Sequence, residues 1–413
     1  MQILTGEGAR RRVRKLERRS SEFSRVEPAV RRIVENVRRK GERALRNYAV
    51  KWDGLARKDE IRVSPAELEA AWATVAPELR AALGQASANI RNFCQWQRPR
   101  EWRKTKGGIS LGQVVRPLES VGCYIPGGRH PLVSTLLMTV IPAQVAGVRN
   151  IRVVTPDPGR EVLAAAQMLG VCEVYRIGGA QAVAALAYGT SSVARVDKIV
   201  GPGNIYVTLA KKLVSFDCAI DFLAGPTEVV ILSDRGRAEF IAADLVAQAE
   251  HDPAAVAIFV TTSKQLALRV SVVVKGIAGD NPVARRSLAR NGAVLLARSR
   301  EEALAWANRI APEHITVEGK DLTSIQNAGS IFVGDYSAQA AGDYASGPNH
   351  VLPTAGVARF RGGLSVQDFV KVITVQELSK AGLSKIGKTV VCLAEAEGLR
   401  AHAQSIRVRC PGA

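Results

Sequence analysis

Residues 196–214 of the chain read VDKIVGPGNIYVTLAKKLV, and this stretch decides the fold class. It holds a short apolar run of β type at Lys198–Val200, a turn of sequence GPGN, and a helical pattern over Ile205–Val214. A strand, a glycine-rich turn and a helix in this order are the first part of a βαβ unit. Such units build a parallel sheet that helices cover on both faces.

The same alternation extends over most of the chain. From residue 120 onward, strand patterns occur at residues 120–125, 151–154, 174–177, 198–200, 229–232, 257–260, 294–296 and 330–333. Helical patterns lie between them at residues 161–169, 180–188, 205–214, 238–250, 265–275 and 300–310. Residues 1–119 and the tail from Val366 are mostly helical in pattern. The sequence therefore predicts an α/β fold with a helical N-terminal extension and a helical C-terminal tail.

Length and composition restrict the class of protein. The chain has 413 residues, which predicts two or three globular units. Aromatic residues are only 5% of the total, so the core must consist mainly of Ala, Val, Leu and Ile. The longest apolar stretch, residues 132–148, is interrupted by polar residues and by Pro142, and we expect no membrane span.

Cysteine usage and the first residues indicate the compartment. Six cysteines lie far apart without a Cys-x-x-Cys pair, which is not the spacing of a disulfide framework. The basic run within residues 1–14 has no apolar segment behind it, so it does not resemble a secretory signal. These features predict a reducing, cytoplasmic location.

The formal charge of +19 is also typical of nucleic-acid binders. Residues 1–58 carry 18 basic and 7 acidic side chains, so +11 of the excess is local. Apolar residues recur there roughly at helical spacing, and no aromatic side chains suited to base stacking accompany them. The pattern favours amphipathic helices with a solvated basic face over a specific nucleic-acid surface. The apolar residues concerned are Val30, Ile33, Val34, Val37, Ala44 and Leu45.

Three glycine-rich turns follow predicted strands, at residues 126–128, 178–179 and 201–204. In parallel sheets, ligands collect at the carboxyl ends of strands, where backbone N–H groups of such turns are presented. Each turn taken alone is also explained as a tight turn. The dinucleotide fingerprint Gly-x-Gly-x-x-Gly does not occur, so the spacing alone does not indicate NAD.

Several polar groups stand out among the five histidines. Gln248 and His251 are three residues apart at the end of a predicted helix, which suits either two metal ligands or a simple helix end. Glu313 and His314 lie between a helix and a strand, where they suit proton transfer or a polar turn. Residues 342–350 form a polar, glycine-containing loop of the kind that often carries a site. The pair Glu397 and His402 near the C-terminus indicates little by itself.

Blocks along nearly the whole chain resemble, in the same order, those of the histidinol dehydrogenase family. These blocks are residues 37–45, 121–128, 141–148, 178–183, 196–204, 220–228, 248–251, 311–314, 342–354 and 397–402. The resemblance implies two Rossmann-like units of the aldehyde-dehydrogenase kind. It also implies a division into an N-terminal extension (1–17), a catalytic domain (18–122 with 229–364), an NAD-binding domain (123–228) and a C-terminal tail (365–413).

The resemblance further implies an enzyme that oxidises L-histidinol through L-histidinal to L-histidine with zinc and two NAD molecules. The implied zinc ligands are Gln248, His251, Asp343 and His402. The implied catalytic groups are His314 as the base and Glu313 as the group that activates water. The implied NAD contacts are Tyr124, Gln181 and Asn204. Substrate contacts are implied for Thr227, Gln248, His251, His314, Asp343, Glu397 and His402. The family forms homodimers with exchanged tails, so Glu397 and His402 would serve the partner's site.

Three departures from the family pattern bear on the substrate. Thr227 stands where a serine is usual, and Gln339 stands where a glutamate is expected near the reacting centre. Arg129-His130-Pro131, after the first glycine turn, stands where the family pattern has small residues. Because an amide cannot act as a base, Gln339 leaves open a related zinc- and NAD-dependent dehydrogenase of another small polar alcohol. A basic binding protein that has kept the fold without the activity is a second alternative, which the retained zinc set opposes.

Overall fold

The computed structural model describes residues 1–19, 23–127 and 132–411, so Gly128 and the Arg129-His130-Pro131 step lie outside the described residues. The strands are β1 (Gln2–Thr5), β2 (Trp102–Lys106), β3 (Ile109–Pro117), β4 (Ser120–Tyr124), β5 (Asn150–Val154), β6 (Glu173–Tyr175), β7 (Lys198–Val200), β8 (Ala219–Ile220), β9 (Glu228–Leu232), β10 (Val256–Thr261), β11 (Ala293–Leu296), β12 (His314–Val317), β13 (Ser330–Val333) and β14 (Val370–Leu378). The helices are α1 (Gly6–Glu17), α2 (Glu27–Lys40), α3 (Glu42–Trp52), α4 (Pro65–Thr74), α5 (Pro77–Trp96), α6 (Val133–Ala146), α7 (Arg160–Met168), α8 (Gly179–Tyr188), α9 (Ile205–Val214), α10 (Ala238–Ala249), α11 (Lys264–Ala278), α12 (Pro282–Arg290), α13 (Arg300–Ile310), α14 (Gln339–Tyr344), α15 (Lys380–Ala396) and α16 (Arg400–Arg407).

A six-stranded parallel sheet forms one half of the molecule, in the order β1-β11-β10-β9-β12-β13. All five residues of β9 are buried, as expected for a strand that is covered on both faces. Side chains alternate between the two faces of a strand. Val229 and Ile231 of β9 accordingly pack with α10, α11 and α12, while Val230 and Leu232 pack with α1 and α13.

A five-stranded parallel sheet forms the other half, in the order β6-β5-β4-β7-β8. Counted along the chain, its strands run 3-2-1-4-5, so the order reverses between β4 and β7. Ligands of open α/β sheets bind in the crevice outside the carboxyl ends of the two strands at such a reversal. The predicted α/β class is confirmed, and β7 and β13 have the bounds that the sequence predicts.

The N-terminal helices connect the two sheets. Helix α1 packs on the six-stranded sheet, whereas α2 and α3 pack on the five-stranded sheet beside α8 and α9. Helix α2 buries its apolar face and exposes arginines such as Arg32 and Arg39. Each buried aliphatic side chain contributes roughly 1.5–3 kcal/mol. The predicted amphipathic helices are thus confirmed, with Val30, Ile33, Val34, Val37, Ala44 and Leu45 all buried.

The two terminal regions also contain strands that the helical patterns do not predict. Strand β1 joins the six-stranded sheet beside β11, and β14 joins a three-stranded antiparallel sheet of order β14-β3-β2. In that small sheet β2 is exposed along its whole length and β14 is exposed or half-buried. Without a buried face, these strands lack the apolar alternation from which a strand is recognised in sequence.

The C-terminal tail beyond β14 consists of α15 and α16. These helices pack on each other through a small cluster of Val391, Ala394 and Ala403, which contains no residue from outside the tail. Leu393 and Val408 remain exposed. Among the described residues, no helix is both long enough and apolar enough to cross a membrane.

Candidate active site

The candidate catalytic pair lies at the amino edge of the six-stranded sheet, next to the point where its strand order also reverses. His314 is the first residue of β12, and Glu313 precedes it directly. The neighbouring strand β9 begins at Glu228, and β12 pairs with it from His314 opposite Val229. Helix α10 runs back from the carboxyl edge, so its last turn brings Gln248 and His251 to the same edge.

Glu313 is buried, and polar contacts hold one of its carboxylate oxygens. Its Oε2 accepts hydrogen bonds from Thr227 Oγ1 at 2.6 Å and from the Glu228 backbone N–H at 2.8 Å. Gln248 Nε2 donates in turn to Thr227 Oγ1. Burial raises the pKa of Glu313 to about 7, although both hydrogen bonds and the nearby His314 oppose the shift. Near neutral pH this carboxyl group can therefore both accept and release a proton.

His314 is held with one ring nitrogen toward the backbone and the other toward Asp343. Its Nδ1 lies 3.3 Å from the Glu228 carbonyl oxygen, which can only accept, so Nδ1 carries the hydrogen. In the neutral ring Nε2 is then the basic nitrogen, and it lies 3.5 Å from Asp343 Oδ1. Burial alone would lower the pKa of His314, but the carboxylates of Glu313 and Asp343 outweigh it and raise the pKa.

Three side chains around this pair offer nitrogen and oxygen donors. His251 Nδ1 lies 3.0 Å from the Ala247 carbonyl oxygen, which leaves Nε2 with a free lone pair on an exposed ring. Because the amide nitrogen of Gln248 is used by Thr227, its amide oxygen is available. Burial opposes ionisation of Asp343, yet His314, His350 and His251 together lower its pKa, so the carboxylate is charged. One imidazole nitrogen and two oxygens form a donor set that suits zinc.

Glu397 and His402 are not brought to this centre within the described part of one chain. Glu397 follows α15 and His402 lies on α16. Their hydrogen bonds stay within the tail, where His402 N–H donates to Leu399 and Glu397 N–H donates to Leu393. The described residues contain no group of three or more His, Cys, Asp or Glu side chains that could hold a metal ion.

Tyr124, Gln181 and Asn204 lie at the carboxyl edge of the five-stranded sheet, as the glycine turns predict. Tyr124 ends β4, and its hydroxyl accepts a hydrogen bond of 2.9 Å from the Gly179 N–H at the start of α8. Gln181 is buried in the first turn of α8. Asn204 caps α9 through its side-chain oxygen, which accepts from two backbone N–H groups and leaves the amide NH2 free to donate.

The glycines of these turns allow the backbone of one turn to approach the next. Gly201 has φ +110°, and a Cβ there would overlap the Tyr124 carbonyl group. A Cβ at Gly178 would meet the ring of Pro156 at 2.6 Å. Below Gly201, the buried Lys211 bonds the Gly201 carbonyl oxygen at 2.9 Å and pairs with Asp221. The turns at this edge therefore pack closely on one another.

The polar loop at residues 342–350 connects the amino edge of the six-stranded sheet with the carboxyl edge of the five-stranded sheet. Asn349 Nδ2 donates to the Met138 carbonyl oxygen on α6 at 2.6 Å, and His350 Nε2 lies 3.4 Å from Thr135 Oγ1 on the same helix. The other ring nitrogen of His350 lies 2.7 Å from the Asp343 carbonyl oxygen. These contacts connect α14, which carries Asp343, to α6, the helix that follows β4.

Gln339 is buried on α14, one helical turn before Asp343. Its Nε2 donates to Thr316 Oγ1 at 2.6 Å, while its Oε1 is buried without a hydrogen-bond partner among the described residues. Thr316 lies two residues after His314 on β12, so both side chains point to the same face of the sheet. Gln339 therefore belongs to the surroundings of the catalytic pair, as the family pattern implies.

Two residues of this region could not be recognised from the sequence as part of a site. Arg19 forms a bidentate ion pair with the buried Glu228, next to Glu313. Asp53 reaches the second glycine turn from the end of α3. Neither residue stands in a motif, because each acts on a segment more than a hundred residues away. Only the tertiary structure reveals such contacts.

Comparisons with known proteins show which family the chain resembles. The family model described as "Histidinol dehydrogenase" matches residues 16–410. The chain is 48% identical over 393 residues to the histidinol dehydrogenase of Methanothermobacter thermautotrophicus, covering 91% of this chain and 92% of the relative. It is 46% identical to that of Bacillus anthracis, covering 93% and 92%. The crystal structure of histidinol dehydrogenase from Elizabethkingia anophelis superposes with a TM-score of 0.94 at 37% identity, covering 99% and 98% of the chains.

Proposed function

The chain belongs to the histidinol dehydrogenase family, and we propose that it oxidises L-histidinol through L-histidinal to L-histidine with NAD at the centre around Glu313 and His314. It is an oxidoreductase of histidine biosynthesis. The observation that carries the residue assignment is the buried Glu313–His314 pair, in which burial raises the pKa of the carboxyl group to about 7 and the carboxylates of Glu313 and Asp343 raise the pKa of the imidazole.

Zinc fits the donors that surround this pair. Gln248, His251 and Asp343 would hold the ion through one nitrogen and two oxygens, and His402 of the partner subunit would complete the set. When bound, zinc anchors and polarises the substrate as a Lewis acid. The fixed Nδ1–H of His251 supports the proposal, because a ligating imidazole usually donates its other N–H to a carbonyl or carboxylate oxygen.

NAD fits the carboxyl edge of the five-stranded sheet. It would contact Tyr124, Gln181 and Asn204. The glycine turns would let the cofactor approach the protein backbone closely. When bound, NAD accepts the hydride in each of the two oxidations. The support is the close packing at Gly178 and Gly201, where a Cβ would collide with the Pro156 ring and with the Tyr124 backbone, so that glycine is needed at both positions.

The side chains of this centre perform the proton transfers. His314 Nε2 accepts the proton of the substrate hydroxyl, because Nδ1 is held as a donor by the Glu228 carbonyl oxygen. At the aldehyde stage, the Glu313 carboxylate accepts a proton from the water whose oxygen bonds to the aldehyde carbon, while the protonated His314 returns its proton to the aldehyde oxygen, so that the hydrate forms and His314 can act as a base again. The hydrate then gives its hydroxyl proton to His314 in the second oxidation. Thr227 and the Glu228 N–H keep Glu313 oriented throughout.

We also propose a cytoplasmic homodimer in which the tails are exchanged. Helices α15 and α16 pack on each other through a small cluster with no residue from outside the tail, and the backbone N–H groups of Glu397 and His402 donate within the tail of their own chain. In the exchanged arrangement, these two residues would contact substrate in the partner's site. The division at residues 1–17, 18–122 with 229–364, 123–228 and 365–413 remains a proposal, in which β9–β13 and β5–β8 fall into different domains.

The test is a substrate panel in which NADH formation is followed with L-histidinol and with other amino alcohols and polyols. The proposal expects L-histidinol to have the highest kcat/KM. A higher kcat/KM for an alcohol without an imidazole would refute it.

A related dehydrogenase of another small polar alcohol is the second candidate, and Gln339 favours it. The unpaired Oε1 beside Thr316 offers an uncharged acceptor where the family pattern has a carboxylate. If Gln339 is the one substitution that slows an otherwise ordinary family member, Gln339→Glu should raise the rate on L-histidinol. An unchanged rate, together with faster turnover of another alcohol, would favour this second candidate.

A further inference from the structure

Asp53 is a buried carboxylate that comes from outside the five-stranded sheet. It follows the last residue of α3, and its backbone N–H ends that helix by donating to the Ala49 carbonyl oxygen. Its side chain turns inward, so the residue is only 9% exposed. It therefore reaches from the N-terminal helices to the edge of the sheet where Tyr124 and Gln181 lie.

The Asp53 carboxylate bonds only to uncharged N–H groups in the described structure. Its Oδ2 accepts from Gln181 Nε2 at 3.1 Å, and the Gly178 backbone N–H is near enough to lower the pKa of the carboxyl group. No described Lys, Arg or His side chain forms an ion pair with it. Burial raises the pKa of Asp53, although the hydrogen bond from Gln181 and the nearby Gly178 N–H oppose the shift. A buried carboxylate without a cation is costly for stability, so packing alone does not explain it.

The contact with Asp53 fixes one side-chain amide at the second glycine turn. In the same turn, the Gly179 N–H donates to the Tyr124 hydroxyl. Because a carboxylate can only accept, Gln181 must direct its NH2 toward Asp53. Its Oε1 then points away and has no protein hydrogen-bond partner in the described part of the chain. A Cβ at Gly179 would lie 2.8 Å from this oxygen, so Oε1 lies directly over the turn.

We propose that Asp53 is a positioning residue for the nicotinamide cofactor, because it fixes Gln181 Oε1 as a hydrogen-bond acceptor over the Gly178-Gly179 turn. The matching group on the cofactor is a donor, either a ribose hydroxyl or the carboxamide NH2. The inference rests on the proposed NAD site. It adds a residue that acts through Gln181 and does not itself touch the cofactor.

The test uses Asp53→Asn in the full-length protein, with NADH binding measured by fluorescence titration. The asparagine has the same shape, but either its NH2 or its oxygen can face Gln181, so the amide of Gln181 is no longer held in one orientation. The Kd for NADH should rise about tenfold, the size expected for one lost hydrogen bond. The KM for NAD should rise similarly, while kcat changes less than about twofold. Glu35→Gln removes an equal charge from the exposed face of α2 and should leave the Kd unchanged.

A double-mutant cycle with Gln181→Ala separates positioning from a loss of structure. If Asp53 acts through Gln181, Asp53→Asn should have little further effect on the Kd in the Gln181→Ala background. Fully additive effects would overturn the proposal, and so would an unchanged Kd in the single variant. If Asp53→Asn does not fold, Asp53→Ser enters the same cycle. A wild-type protein that binds no NADH would instead refute the proposed NAD site itself.

Discussion

At the level of single residues, Thr227 connects the two groups on which the proposed chemistry depends. Its hydroxyl donates to Glu313 and accepts from Gln248, so one oxygen atom orders both a catalytic carboxyl group and a candidate zinc ligand. The family resemblance implies only that a threonine stands here where a serine is usual. The structure shows that the hydroxyl joins Glu313 and Gln248.

Removal of that hydroxyl should therefore be far more harmful than removal of the methyl group. Thr227→Val keeps the shape but leaves Glu313 and Gln248 without their shared partner, and kcat/KM for L-histidinol should fall about tenfold or more. Thr227→Ser retains the hydroxyl and should stay within about threefold of wild type. Steady-state kinetics of both variants, with thermal melting to verify folding, measures the difference. Equal losses in the two variants would contradict the role of the hydroxyl.

The raised pKa of Glu313 gives the aldehyde stage a defined pH dependence. Only the ionised carboxylate can accept a proton from water, so kcat/KM for L-histidinal should increase with pH and level off above a pKa near 7. In Glu313→Gln this stage should be slow and should lose that rising limb. The measurement is a pH profile of NADH formation from L-histidinal. A flat wild-type profile across about pH 6 to 8 would be inconsistent with Glu313 as the base.

At the level of secondary structure, the accuracy of sequence prediction depended on burial. Strand β7 and helix α9 were predicted with the correct bounds, because an apolar run, a glycine turn and a helical pattern follow one another directly. Strands β3 and β14 were missed, since Val370 pairs with Pro117 from a distant part of the chain and β14 has no buried face. Because Glu313 and His314 are predicted between a helix and a strand, they belong at the amino edge, and not at the carboxyl edge where ligands of such sheets usually collect.

Two helices supply the candidate metal ligands of one chain, and this suggests how metal removal should act. Gln248 and His251 lie at the end of α10, and Asp343 lies on α14. The helices belong to a large apolar core that does not need the ion, unlike a zinc finger. Chelation should abolish turnover, added zinc should restore it, and the far-UV circular dichroism should remain native. Full turnover in a preparation shown to contain no metal would refute the zinc proposal.

At the level of the whole molecule, the exchanged tails can be tested by complementation. His314→Ala and His402→Ala chains, each nearly inactive, would be co-expressed in equal amounts. Under two-fold assembly about half of the dimers are mixed, and in each of these one site carries both defects while the other is intact. Activity should return to roughly a quarter of wild type. A purified mixed dimer without activity would show that His402 serves its own chain.

The central claim is that one centre carries out both oxidations of L-histidinol. The most direct measurement is the end-point yield of NADH from limiting L-histidinol with excess NAD, together with identification of the product. We expect two NADH for each L-histidinol consumed and L-histidine as the only product, because Glu313 activates water beside the same base that acts in the first step. One NADH per L-histidinol with release of the aldehyde, or no NADH at all, would contradict it.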